Sequence, residues 1–311
     1  MMTNRQPASR SLDSAYQLCS FIKASYTIKV AEAYDDTPEI EIEASIELQT
    51  FKDAKPVFEL GVDLDQLKKY PLLLKLHVDD DKKPAPCEAA RFHGDGEVPL
   101  IAISKKLAPG LHTIKMKYNM AIMARAGQAI SQIRDGLSLR FVMSDLGDRN
   151  SQFLGQYLPS NLAFDRYRMK FDVAMTSNRR CYTLITNKGV AERDKVEKKN
   201  KKKSGKGKSK SDDGKIINRW KFDTLEYYKA SFIWFHLFPS DTHLIHQKDI
   251  VIGDKKIWTT VYGSKEEFKP PGARISRLLA LYMNRCVEYL NYFIRRYGDF
   301  PTNYLTVLMR A

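Results

Sequence analysis

Residues 39–50 read EIEIEASIELQT. Ile40, Ile42, Ala44, Ile46 and Leu48 alternate with Glu41, Glu43, Ser45 and Glu47. Successive side chains of a strand point to opposite faces, so this period of two predicts a strand with one face buried and the other in water. The pattern recurs on both sides. Tyr26, Ile28 and Val30 share the period, and Asp35-Asp36 with Pro38 between the two runs predicts a turn. Ile114, Met116 and Tyr118 alternate with Lys115 and Lys117 after the turn signal Pro109-Gly110. Met169, Phe171, Val173 and Met175 alternate with Lys170, Asp172 and Ala174, and Tyr182, Leu184 and Thr186 follow before Asn187-Lys188-Gly189. Sheets with one wet face give this alternation. The expected fold is mainly β with some α: an antiparallel β-sandwich or saddle, then a strand and one long helix.

The helix is legible from a change of period. Ile275, Leu278, Leu279, Tyr282, Cys286, Leu290, Phe293 and Tyr297 are spaced by three or four, the stripe of an amphipathic helix. Pro270-Pro271-Gly272 precedes it, and Gly298 with Pro301 ends it. Leu281, Tyr289 and Tyr292 lie off the stripe, so a second apolar face is expected. Before the helix, Ser231–Phe238 and Ile250–Tyr262 are apolar stretches, and Ile257–Tyr262 is rich enough in β-branched and aromatic residues to predict a strand.

Composition bounds the rest. The chain has 311 residues, of which 43% are hydrophobic and 11% aromatic, enough for a substantial core. Lys plus Arg number 51 against 37 Asp plus Glu, a net charge of +14. Much of the excess sits in 192–215, ERDKVEKKNKKKSGKGKSKSDDGK, with ten Lys and one aliphatic residue, Val196. The polarity of that run predicts a mobile Lys-rich insertion over 191–216. No aromatic side chain is interleaved to stack on bases, so nucleic acid is not the expected partner. Gly207-Lys208-Ser209 lacks the earlier glycine and the preceding strand of a phosphate-binding loop. No apolar run reaches the roughly 20 residues of a membrane-spanning helix, and the first residues lack the apolar core of a signal peptide. The four cysteines, Cys19, Cys87, Cys181 and Cys286, are too widely spaced for a metal or disulfide pattern, so free thiols in a cytoplasmic setting are expected.

The sequence offers no active site. None of His77, His93, His112, His236, His243 and His246 begins an HExxH motif, and the only close pair, His243 and His246, falls in a predicted strand or loop. There is no CxxC, GxSxG or GxGxxG.

Residues 155–173, GQYLPSNLAFDRYRMKFDV, change the reading. With Gln156, Tyr157, Leu158, Pro159, Asn161, Asp165, Tyr167, Met169 and Phe171 in place, this stretch resembles a segment of the N-terminal β-domain of the alanyl-aminopeptidase family of zinc metallopeptidases, the gluzincins. Other pieces fall in that family's order: Leu107-Ala108-Pro109-Gly110 before a strand, Thr186–Gly189 after one, Ile257–Gly263 as the strand opening the catalytic domain, and the helix 273–297 ending in Tyr297-Gly298-Asp299-Phe300-Pro301. The family's F-P-C-F-D-E-P wording, its G-x-M-E-N loop and its HExxH are absent from these residues.

The resemblance implies three parts: an extension over 1–24, an aminopeptidase-like N-terminal β-domain over 25–247, and the truncated beginning of a thermolysin-like catalytic domain over 248–311. It implies an aminopeptidase-like protein that is catalytically incomplete in this chain, with zinc expected only in a full-length relative. No catalytic, cofactor-binding or metal residue is assigned. The expected partner is the missing catalytic region or another protein, with self-association possible through the helix. A non-catalytic interaction scaffold built on the same β-domain is the alternative, and a nucleic-acid or anionic-surface binder using the Lys-rich run a more distant one.

Overall fold

A computed structural model describes residues 11–12, 14–31, 39–60, 74–90, 92–93, 100–119, 130–133, 136–139, 157–161, 166–178, 180–186, 192–198, 216–227, 233–265, 273–300 and 303–309. The first elements are β1 (Ser11–Leu12), β2 (Tyr16–Leu18), β3 (Ser20–Ala31), β4 (Glu39–Thr50), β5 (Lys55–Glu59), β6 (Leu74–Val78), β7 (Cys87–Ala90), β8 (Phe92–His93), β9 (Leu100–Ile103) and β10 (Gly110–Asn119). There follow β11 (Ile130–Ile133), β12 (Gly136–Leu139), β13 (Tyr167–Ser177), β14 (Tyr182–Thr186), β15 (Glu192–Lys198), β16 (Ile216–Tyr227), β17 (Phe235–Pro239), β18 (His243–Ile252), β19 (Lys255–Ser264), helix α1 (Ala273–Tyr297) and β20 (Tyr304–Met309). The chain divides into two compact units. One comprises Met1–Ser131, Ser138–Arg179 and Glu192–Trp234; the other comprises Gln132–Leu137, Arg180–Ala191 and Phe235–Ala311.

The first unit is built on a seven-stranded sheet in the order β15-β16-β13-β3-β4-β10-β6. At its centre β3, β4 and β10 pair antiparallel, with Ile28 across from Ile42 and Ile46 across from Ile114. The isoleucines and Leu48 are buried, while the intervening glutamates and lysines form the wet face. The alternation expected from 39–50 is therefore present, and β13 and β10 show it too. One pairing departs from the antiparallel expectation: β13 runs parallel to β3. A parallel neighbour demands a long crossover, which alternation within one strand cannot signal. A second sheet, β2-β5-β9-β7, has β9 buried at every position, and Val57, Ala90, Leu100 and Ala102 form its core.

The Lys-rich run begins as structure. Glu192–Lys198 form β15, paired antiparallel with β16 at the sheet edge, where the expectation was a mobile loop. Its pairing partner is β16. Residues 199–215 lie outside the described residues, as do the turns expected at 35–38 and 187–189.

In the second unit β18 and β19 form a hairpin closed at Gly253-Asp254, where Gly253 has φ +59°. Glycine accepts that conformation without steric cost. Chain then passes through α1 and returns as β20, parallel to β19. Helix α1 has the bounds the periodicity predicts. Its end is closed by Gly298, with φ +86° and an amide that donates to the Ile294 carbonyl at 2.8 Å. In the same unit β17 pairs antiparallel with β14 and is buried throughout.

Candidate interaction surface

The histidines are dispersed. His243 and His246 both lie on β18, and a separation of three along a strand places them on opposite faces. His236 is buried in β17, beside Phe238 and His243 at ring-centroid distances of 5.6 and 6.5 Å. His112 pairs through Nδ1 with Asp79 at 3.0 Å, and His93 lies in β8. Among the described residues no group of three or more His, Cys, Asp or Glu side chains converges to hold a metal. All four cysteines are free thiols. Burial pushes Cys19 and Cys87 up to about 12, and raises Cys286 as well, so these three are protonated at neutral pH and poor nucleophiles.

The segment that carries the family resemblance has a structural job. Tyr157–Asn161 is buried throughout. Three tyrosine hydroxyls fasten it. Tyr26 donates to the Pro159 carbonyl at 2.9 Å, Tyr118 donates to the Tyr157 carbonyl at 2.9 Å, and Tyr157 in turn donates to the Ile233 carbonyl. Glu59 and Ser160 exchange backbone hydrogen bonds of 2.8 and 3.0 Å. These bonds satisfy carbonyls that would otherwise be buried without partners, which costs about 1–3 kcal/mol each. Met169 and Phe171 point into the core from β13. Gln156 and Asp165 lie outside the described residues.

The exposed chemistry gathers on α1. Its inner stripe, Leu279, Met283, Cys286 and Leu290, packs with Ile250, Ile257, Val261, Phe300 and Met309. The outer side exposes Leu281, Tyr282, Tyr289 and Tyr292, with Tyr292 65% exposed, and Tyr297 is 66% exposed at the end of the helix. Leu281, Tyr289 and Tyr292 were expected off the inner stripe. Tyr282 and Tyr297 were expected on it and are exposed instead. Tyr282 stands at the margin of the buried stripe, and Tyr297, five whole turns from Leu279 and so on the same side, is the last residue of the helix, where it packs on Phe293 at 4.8 Å. Arg277, Arg285, Arg295 and Arg296 surround the tyrosines, and the one acid among them, Glu288, is held by Arg285 at 2.6 Å. The arrangement offers aromatic area inside a positive rim.

No protein-family profile matches the sequence, and no curated protein sequence does either. Solved structures do. An M1 zinc metallopeptidase from Deinococcus radiodurans is similar at 8% identity and a TM-score of 0.50, over 95% of this chain and 58% of that one. A mutant of the M1 zinc metallopeptidase from the same organism, bound to a Tyr-Ser-Ala substrate, gives the same figures. So does a two-domain M1 zinc metallopeptidase mutant bound to L-tryptophan. The chain thus spans just over half the length of these structures. The likeness is one of fold: aminopeptidase-like, and among the described residues mostly β in several sheets, with the helix α1 towards the C-terminal end.

Proposed function

We propose that this chain is the β-domain and the first catalytic-domain elements of an aminopeptidase-like protein, and that it works by docking rather than by chemistry of its own. The carrying observation is the fold likeness over 95% of the chain, joined to a sequence without HExxH or G-x-M-E-N. The residues present do not fit the zinc of such peptidases, since His243 and His246 diverge from one strand and no third ligand converges on either among the described residues. Zinc ligands and a general base for hydrolysis would come from outside these residues. Four free thiols accord with a cytoplasmic setting, and among the described residues no helix is long and apolar enough to cross a membrane.

The docking face in this reading is the outer side of α1. Tyrosine gives large contact area at low entropic cost and is enriched at interfaces. The rim of Arg277, Arg285, Arg295 and Arg296 selects the occupant by charge: a protein surface apolar at its centre and acidic at its edge. A second copy presenting this same face would set arginine against arginine. To test the enzymatic half of the proposal, the purified chain is loaded with zinc and assayed against aminoacyl anilides. No zinc-dependent turnover is expected. Turnover that is lost on chelation and restored by zinc would overturn the proposal.

A further inference from the structure

We propose that the wet face of the seven-stranded sheet holds a binding site for a tetrahedral oxyanion of the phosphate or sulfate class, between Lys75 and Lys115. The register puts the charges of this face in rows that cross the strands. In most rows they alternate and pair. Lys23 meets Glu47 at 2.7 Å. Lys29 holds Glu43 at 2.7 Å and Glu41 at 3.0 Å, and Lys117 holds Glu41 at 2.7 Å and Glu43 at 3.1 Å. One row departs from the rule. Lys170, Ser25, Ser45, Lys115 and His77 stand in register across β13, β3, β4, β10 and β6 with no carboxylate among them.

The two serines are short where neighbouring rows carry long side chains, and a depression of about 440 Å³ lies there. Its lining includes Ser25, Thr27, Ser45, Lys75 and Lys115, together with Glu43, the carboxylate already shared by Lys29 and Lys117. Lys75 and Lys115 have no acidic partner among the described residues. Lys75 also stands directly across from Lys117, a like-charge pairing that costs stability. His77 lines the same depression, its Nδ1 donating to the Asp81 carbonyl at 3.1 Å, so Nε2 is its remaining polar atom.

A ligand here meets two ammonium groups and three hydroxyls from several directions. That donor set calls for three or four acceptor oxygens bearing about two charges, which a phosphoryl or sulfuryl group supplies. An extended polyanion fits poorly: Glu43 and Glu47 occupy the flanking rows with Glu41 beyond them, and no Phe, Tyr or Trp lines the depression to stack on a base.

The test is calorimetric titration of the full chain with inorganic phosphate and with pyrophosphate, beside co-sedimentation with vesicles carrying a phosphoinositide. Saturable one-to-one binding is expected. The two kinds of probe, soluble phosphates and vesicles, separate a free phosphate compound from a lipid headgroup as the source of the oxyanion. Lys75→Gln with Lys115→Gln removes the unpaired cations and leaves the Lys29–Glu43–Lys117 network, so affinity should fall at least about tenfold. Ser45→Leu fills the depression and keeps every charge, and should weaken binding as much. Lys248→Gln, an exposed lysine on β18, should change nothing. Binding that is equal in all variants, or seen only with a single-stranded oligonucleotide, would overturn the site, as would none with either probe at millimolar concentration. None of these outcomes bears on peptide hydrolysis.

Discussion

Glu43 accepts from two lysines at once, and its partner Glu41 shares both of them. Lys117 donating to Glu41 and Lys29 donating to Glu43 hold the two carboxyls below their ordinary value of 4.5. A carboxyl depressed in the folded state contributes stability above its unfolded value, and that contribution is lost as pH falls through the folded value. The thermal midpoint should therefore begin to drop near pH 4.5 and go on dropping below it. In Glu41→Gln with Glu43→Gln this part of the acid sensitivity should be missing. The difference will be small, because exposed ion pairs contribute only about 0–1 kcal/mol. Identical acid limbs for parent and variant would show that the cross-strand network is without weight. The glutamates' place on a wet strand face was legible from 39–50 alone. Their sharing of Lys29 and Lys117 was not, since those partners belong to two other strands.

At the scale of the element, α1 separates what burial does from what composition suggests. Leu290 is wholly buried against the sheet and Tyr292, one half-turn on, is in water. Leu290→Ala should cost about 2–5 kcal/mol through lost burial and the cavity left behind. Tyr292→Ala should change stability by no more than about 0.5 kcal/mol. Urea unfolding of the two variants measures both, and a large loss for Tyr292→Ala would mean that its face is covered. The helix and its ends were readable because a period of 3.6, a proline pair and a terminal glycine are local signals. β15 was not readable: its charged residues carry no apolar period, and its strand character comes from backbone pairing with β16.

For the molecule as a whole, the positive rim of α1 predicts how the isolated chain behaves. Like charge keeps copies apart at low ionic strength, and added salt shortens the reach of that repulsion. Light scattering should therefore show association growing with salt, driven by the exposed tyrosines. Tyr289→Lys with Tyr292→Lys should abolish the growth and leave circular dichroism unchanged. If the double variant unfolds instead, the face is already buried and the docking proposal fails. If the parent stays monomeric at every salt concentration, the tyrosines do not hold copies of this chain together, and only a partner of opposite charge remains for the face.

The sequence by itself determined the β-rich class, the wet and dry faces of β3, β4, β10 and β13, and the extent of α1. Each of these follows from a period of two or of 3.6, and a period is a property of residues adjacent in the chain. The tertiary structure alone decided the parallel pairing of β13 with β3, the exposure of Tyr282 and Tyr297, and the row that brings Ser25, Ser45, His77, Lys115 and Lys170 together. Those residues are separated by long stretches of chain, and only the hydrogen-bond register between strands sets which of them become neighbours. A shift of one residue in any of those pairings would send its partner to the opposite face of the sheet.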